Sequence, residues 1–146
     1  MTASIDFDVE KLIKNLQKAE KKAIAAFALY GDTASKKLET YAKSNHPWQN
    51  RTHEAEKRLY GSSELKGKTL TVAISHGVDY GPSLELGSGP RLIKPTSKKA
   101  LYWDGADHPV KYVNHPGTMP YPILTPTIEA NANEILSGLD ILLGGK

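Results

Sequence analysis

The chain of 146 residues contains no cysteine, only two tryptophans and two phenylalanines, and no long apolar run. The lack of cysteine excludes disulfides, thiolate metal sites and cysteine nucleophiles. No apolar stretch reaches the roughly 20 residues that cross a bilayer. The first residues also lack the basic and then apolar pattern of a signal peptide. We therefore expect a soluble intracellular protein, with no membrane partner and a single domain over residues 1–146.

The net charge of +3 is mild and unevenly distributed. Residues 1–44 sum to +2, residues 45–99 to +4 and residues 100–146 to −3. A basic middle and an acidic C-terminal third could complement a neighbouring copy of the chain, or could be a solvated surface. A nucleic-acid-binding protein is usually more basic, with its positive charge more clustered.

Apolar residues at steps of three and four, from Leu12 to Tyr41, predict one helical face near the N-terminus. The predicted helix runs from about Asp8 to Lys43 within an N-terminal helical region of residues 1–44. Asp6 or Asp8 could cap its start. Gly31 and Asp32 predict a kink or a break into two helices.

The same spacing returns near the C-terminus, from Ile128 to Leu142. Thr125 is a favourable N-cap, and Pro126 suits the first helical position. The sequence therefore predicts a closing helix over residues 125–143, packed on a sheet.

Between these helices, residues 45–124 predict β-strands and loops. Residues 54–59 predict a loop with a helical turn. Leu70, Val72 and Ile74 alternate with polar or small residues, which indicates a strand that follows a turn at residues 66–68. Further strand-like stretches are short: residues 84–86, Arg91–Pro95, Leu101–Trp103 and Val110–Val113. Together they predict an α+β fold with a small antiparallel sheet of three to five strands and long loops rich in proline and glycine.

The segment Leu101–Pro126 contains five of the nine prolines and two of the five histidines. Proline fixes φ and removes a backbone donor, so this segment cannot be one helix. We expect a stiff, mostly extended connector in which His108 and His115 hydrogen-bond to loop backbone.

Three signals of chemistry are incomplete. His53 and Glu54 begin a zinc-protease-like string, but Lys57 stands where the second histidine would be. Ser75, His76 and Asp79 include all three residue types of a catalytic triad, but the serine lacks flanking glycines. The loop at residues 87–91 lacks the lysine of a phosphate-binding loop. We therefore expect no catalytic, metal or cofactor-binding residue, and no enzymatic activity.

A nucleic-acid-binding module and a host-interaction module remain open. For the first, basic and aromatic side chains could share one surface; these are Arg51, Lys57, Arg58, Arg91, Lys94, Lys98 and Lys99, with Trp48, Tyr60, Tyr80 and Trp103.

Three stretches in this order resemble the gene-product-ten-like family of tailed-bacteriophage minor tail-component or neck proteins, named after a protein of phage HK-ninety-seven. They are the Asn50-Arg51-Thr52 turn, the YGPSLELG stretch at residues 80–87, and the HPGT-to-proline segment at residues 115–126. The resemblance covers roughly residues 45–143. Two positions depart from the family pattern: His53 replaces a glycine, and Ile123 replaces an aromatic residue.

The resemblance implies a structural virion protein at the neck or upper tail, assembled in the host cytoplasm. Such a protein would form a ring, with six copies expected, and would contact a head-closure, tail-terminator or tail-tube protein. Residues 80–87 and 108–122 would supply the contacts; the interface residues expected are Tyr80, Leu84, Glu85, Trp103, His108, Tyr112, His115 and Tyr121. Lys94, Lys98 and Lys99 would face a lumen through which DNA passes without sequence reading.

Overall fold

The structure is a computed structural model that describes residues 9–144. In chain order its elements are α1 (Val9–Asn45), α2 (Glu54–Lys57), β1 (Leu59–Lys66), β2 (Thr69–His76), α3 (Gly81–Leu86), β3 (Arg91–Ile93), β4 (Val113–His115) and α4 (Leu124–Leu142). The predicted α+β class is confirmed, with a long N-terminal helix, small antiparallel pairing and a C-terminal helix. Among residues 9–144, none of the helices combines the length and the hydropathy that a membrane span requires.

The first helix, α1, is continuous over 37 residues, so the predicted break into two helices at Gly31 and Asp32 is wrong. Gly31 is buried inside this helix. A Cβ at this position would lie 2.7 Å from Leu70 Cδ1 and 3.0 Å from Ser63 Cβ. The glycine therefore permits close approach of the neighbouring strands rather than a bend. The predicted caps Asp6 and Asp8 lie outside the described residues.

Strands β1 and β2 form an antiparallel hairpin, in register from Leu59 opposite His76 to Lys66 opposite Thr69. Its turn includes Gly67 at φ 57, a left-handed value that favours glycine. The predicted turn and the second strand are confirmed. The part of the first strand that precedes Leu65 was not predicted. Its inward positions hold Gly61 and Ser63, where the pattern of a buried strand requires apolar residues.

The remaining strands differ from the single sheet of three to five strands that we predicted. Strands β3 and β4 form a second, separate pair, with Arg91 opposite His115. The strand-like stretches around Leu101 and Val110 form only an isolated bridge. Residues 84–86, predicted to alternate, belong to helix α3, which has a proline in its first turn.

The core lies where α1, the β1–β2 hairpin and the start of α4 meet. Its buried apolar residues are Leu38, Ala42, Leu59, Ile74 and Ile123. Trp48, Val72, Leu124 and Ile135 pack against them from partly buried positions. Within residues 9–144 these residues form one apolar cluster, and everything between residues 87 and 122 lies outside it.

Helix α4 lies along α1 and also contacts β2. The Tyr30 hydroxyl donates a hydrogen bond of 2.5 Å to the Ile135 carbonyl, and Lys37 forms an ion pair with Glu134. The helix begins at Leu124 with Ile123 as its N-cap, so Thr125 is not the cap we predicted. At its other end, Gly144 has φ 83, which suits the left-handed conformation that commonly follows a helix.

Glu39 joins α1 to the hairpin, and this contact makes stability depend on pH. Its carboxylate accepts hydrogen bonds from Lys43 Nζ at 2.7 Å and from the Gly61 N–H at 3.2 Å. These two hydrogen bonds hold the pKa of Glu39 below its ordinary value, and the bond from Lys43 has the larger effect. A carboxyl whose folded-state pKa is lowered stabilises the fold above its unfolded pKa and loses that contribution as the pH falls through the folded value.

We therefore expect acidification below the ordinary carboxyl range to reduce the free energy of unfolding, and Glu39→Gln to remove part of that dependence. The difference between wild type and variant should stay near 1 kcal/mol or less, since the pair is partly solvated. Urea unfolding from pH 3 to pH 7 measures it. Parallel pH curves for the two proteins would show that Glu39 contributes nothing to the slope.

Candidate interaction surface

The carboxylate of Glu85 is the internal anchor of the segments that the sequence singled out. It accepts a hydrogen bond from His76 Nε2 at 2.9 Å. It also accepts the backbone N–H of Ile123 at 2.9 Å and that of Leu124 at 3.2 Å. Glu85 lies on α3, His76 ends β2, and the two amides begin α4. One side chain therefore ties three elements together at the edge of the core.

This arrangement satisfies the backbone N–H groups at the start of helix α4. The first N–H groups of a helix have no partner within the helix, and a negative charge there is favourable. Helix α4 has no acidic residue in its own first turn and no side-chain cap. Glu85 supplies the carboxylate from 38 residues earlier in the chain. We expected Glu85 to lie at a subunit interface, but its side chain is only 14% exposed and satisfies internal donors.

The ring of His76 is also internal, with 6% of its side chain exposed. Its Nδ1 atom is buried without a hydrogen-bond partner. Because the carboxylate of Glu85 only accepts hydrogen bonds, the proton of this contact is on His76 Nε2. Trp48 lies beside it, with ring centroids 5.9 Å apart, and stacks on His46 at 4.6 Å. These aromatic rings lie at the edge of the core, against which Trp48 packs.

A second polar cluster surrounds Glu56. Its carboxylate accepts hydrogen bonds from Asn50 Nδ2 at 2.5 Å and lies 2.9 Å from His53 Nδ1. The bond to His53 is the main cause that lowers the pKa of Glu56. His53 has φ 60, a left-handed conformation that is uncommon for a residue with a side chain. His53 therefore stands in a backbone conformation that favours glycine.

Two loops that are far apart in sequence pair beyond the Glu85 anchor. Ser88 and Thr118 exchange both backbone hydrogen bonds, at 3.0 and 2.9 Å, and their hydroxyls lie 2.9 Å apart. Gly87 and Gly117, with φ 72 and 95, stand beside this pair. A Cβ on either glycine would overlap backbone of the opposite loop. The two glycines thus permit the close pairing of the loops.

Residues 91–115 extend from this pairing as a long antiparallel excursion, which we call the arm. Strands β3 and β4 form its base, and the bridge between Leu101 and Val110 lies further out. Within the described residues, its two strands pair with each other and make at most marginal contact with any other helix or strand. A two-stranded ribbon without a core of its own is only marginally stable in water. The arm therefore has two faces available for a partner.

Large apolar side chains are exposed on the arm and on the loops at its base. Five of the eight interface residues expected from sequence are exposed; these are Tyr80, Trp103, His108, Tyr112 and Tyr121. The other three serve internal contacts. Leu84 and Glu85 are half-buried, and half-buried His115 accepts the Gly117 N–H through Nδ1 at 3.0 Å. The predicted backbone bond of His115 is thereby confirmed.

Sequence reasoning missed four exposed apolar residues of this surface: Leu86, Leu92, Tyr102 and Met119. Leu86 is 81% exposed and Met119 is 76% exposed. Each of these two residues is next to a turn residue. That neighbour is the one feature of the sequence that distinguishes them from core residues. We call the exposed aromatic and apolar residues of the arm and its base the aromatic surface.

The three lysines expected to face DNA are exposed on the loop that follows β3; these are Lys94, Lys98 and Lys99. The arm as a whole carries five lysine and arginine residues and two aspartates. It is therefore a basic, aromatic extension of a body that ends in an acidic helix.

In the part of the chain that the structure describes, no three histidine, aspartate or glutamate side chains are grouped as metal ligands would be. Ser75, His76 and Asp79 do not form a triad, since His76 hydrogen-bonds to Glu85. Comparison with protein families, curated proteins and solved structures found no match to this chain.

Proposed function

We propose that this chain is a structural virion protein of a tailed bacteriophage. It is a neck or tail-completion component that forms a ring at the head-to-tail junction and connects the tail to the capsid. The ring is expected to contain six copies and to contact a head-closure, tail-terminator or tail-tube protein. No cofactor, metal or catalytic step belongs to this role.

The observation that carries the proposal is the arm. An extension with almost no contact to its own core exposes Trp103 at 50%, Tyr112 at 58% and Tyr102 at 68% of their surfaces. Contiguous exposed apolar residues of this size mark sites of protein association. Tyrosine and tryptophan are also enriched among the residues that dominate binding energy at interfaces.

The way the arm is held supports the same role. Loops that are already ordered lose little conformational entropy when they dock. Here the paired glycine loops and the Glu85 anchor order the base of the arm before any partner binds. The YGPSLELG and HPGT segments, which carry the resemblance, are in direct contact: the Tyr121 N–H donates to the Leu84 carbonyl at 2.6 Å.

The arm and helix α4 have opposite net charges, which favours contacts between these unlike surfaces on neighbouring copies. The arm is basic, whereas α4 contains three acidic residues and no lysine or arginine. Contacts between unlike surfaces generate rings when the rotation closes. In such a ring, Lys94, Lys98 and Lys99 would face the DNA lumen.

Substituting Trp103→Ala is expected to weaken self-association at least tenfold, because aromatic anchors dominate interface energy. The free energy of unfolding should change by less than about 0.5 kcal/mol, since Trp103 is a half-exposed side chain outside the core. Sedimentation equilibrium measures the first quantity and urea unfolding the second. Tyr60→Ala is the matched control, because Tyr60 is a similarly exposed aromatic residue on the hairpin.

Discrete oligomers for wild type and Tyr60→Ala, with Trp103→Ala shifted toward monomer, would support the proposal. Equal association of all three proteins would contradict it. A DNA-binding module, the alternative that the basic arm favours, would instead bind DNA with an affinity that falls steeply with salt while remaining monomeric.

A further inference from the structure

The N-terminal half of α1 extends beyond the body of the protein. Every residue from 9 to 25 is exposed, a length of about 25 Å at the helical rise. The side chains of Val9, Leu12, Ile13 and Leu16 are between 50% and 61% exposed. Their spacing of three and four places all four on one face. We call this face the stripe.

The helix face that carries the stripe continues into the body, with Glu20 standing between Leu16 and Ala23. The next apolar positions on the same face of α1 are Ala23, Ile24 and Phe27, and these line a groove. Opposite them lie Leu65 and Leu70 of the hairpin, with Leu139 and Leu143 near the end of α4. The groove has a volume of about 470 Å³, and Leu143 remains 64% exposed. It is a mostly apolar groove at the end of the stripe nearer the body, and Glu20 and Lys68 are its charged lining residues. Apolar grooves bind the apolar face of an amphipathic helix.

We propose that the stripe of one copy docks in the groove of a second copy of this chain. The charges favour this occupant. Residues 9–22 contain five lysines and two glutamates, a sum of +3. Helix α4, which contributes Leu139 to the groove, contains three acidic residues and no basic one, a sum of −3; one of the three, Glu134, pairs with Lys37. Lysines on the opposite face of the helix keep their charged ends in water while the apolar stripe is covered.

The contact explains why the helix is so long. Most of the stability of a helix in a protein comes from the packing of its amphipathic face, so covering the stripe would stabilise the extension. A membrane surface is the less favoured occupant, because Val9–Leu16 contains no aromatic residue and the face that carries the stripe leads to a protein groove. The contact rests on the proposed function, and adds to it a second interface between copies, separate from the arm.

The absence of cysteine makes a clean cross-linking test. Leu12→Cys and Leu143→Cys are made as separate variants of the full chain, mixed, and oxidised with oxidised glutathione. One disulfide should then form between the two variants, with two thiols oxidised and glutathione reduced. Lys18→Cys mixed with Leu143→Cys is the control, because Lys18 lies on the opposite face of the same helix. The control pair should cross-link at least tenfold more slowly.

A second pair of variants measures the contribution of the stripe to association. Leu12→Gln with Leu16→Gln should weaken self-association at least tenfold, whereas Lys11→Gln with Lys18→Gln should weaken it far less. Thermal unfolding of each variant at low concentration checks that the body is intact, since all four positions are exposed.

Equal cross-linking of the test and control pairs, or none in either, would overturn the contact. So would binding of the wild-type chain to vesicles of phosphatidylcholine and phosphatidylserine through Leu12 and Leu16 without any cross-link. If the cross-link fails while discrete oligomers still form and Trp103→Ala still disrupts them, the groove contact falls and the proposed function stands. If the cross-link forms but the chain is absent from virions, the groove contact stands and the proposed function falls.

Discussion

Replacing Glu85 with glutamine is expected to lower the free energy of unfolding by about 3 kcal/mol. The carboxylate accepts from His76 Nε2 and from the Ile123 and Leu124 amides. Glutamine offers one oxygen for three donors and turns its own NH₂ group toward them. Hydrogen bonds to a charged group contribute about 1.5–3 kcal/mol each, and buried donors left unpaired cost more than the lost bond.

Urea unfolding at neutral pH measures this loss. Glu64→Gln is the matched control, because Glu64 lies exposed on β1 and pairs only with the exposed Lys66. Its effect should be within about 0.5 kcal/mol. If Glu85→Gln unfolds at the same urea concentration as wild type, the carboxylate is not the anchor of α4. Loss of assembly with unchanged stability would instead return Glu85 to the interface where the sequence had it.

Replacing Gly61 with alanine is expected to cost at least about 3 kcal/mol, at the upper end of the range for overpacked cores. An added Cβ would overlap the Ser35 carbonyl oxygen, and would lie 2.6 Å from its carbon and 3.2 Å from Ser35 Cα. All of these are backbone atoms of α1, so no rotamer change relieves the overlap. The hairpin would have to move away from the helix and open the core around Leu38 and Leu59.

Gly89→Ala is the matched control for this substitution. Its Cβ would meet no atom within 4 Å, and its φ is outside the left-handed region. Alanine there should leave the free energy of unfolding unchanged or raise it slightly by restricting the unfolded chain. Equal thermal stability of Gly61→Ala and wild type would show that α1 and the hairpin are not in close contact.

The two long helices and strand β2 follow directly from periodicity, because each has apolar residues on one face and is long enough to repeat the pattern. Strand β1 does not, since its inner face is built from Gly61 and Ser63 to admit a helix backbone. The break predicted at Gly31 was wrong for the same reason. In isolation a glycine in a helix predicts a break, whereas here its missing side chain makes room for Leu70 and Ser63. The sequence contains both partners of such contacts but not their proximity.

The candidate surface was predictable to a similar extent. Trp103, His108 and Tyr112 of the arm were expected at an interface from the family resemblance, and all three are exposed. The hydrogen bond of His115 to loop backbone was also predicted, and its partner Gly117 is only two residues away. The role of Glu85 could not be predicted, since it depends on backbone amides 38 and 39 residues later in the chain that the fold brings to it. The pairing of Ser88 with Thr118 spans 30 residues with no periodic signal at either end. Residue types therefore indicated the segments, and tertiary pairing determined which side chains remain exposed on them.

The central claim is that the chain is a fixed part of a phage particle. Quantitative mass spectrometry of purified, intact virions, from a phage whose genome carries this gene, tests this most directly. The account predicts that its peptides are present at a small, constant number of copies per particle, near six. Virions assembled with the Trp103→Ala variant should contain less of the protein or lack joined tails. Complete virions without these peptides would contradict the account.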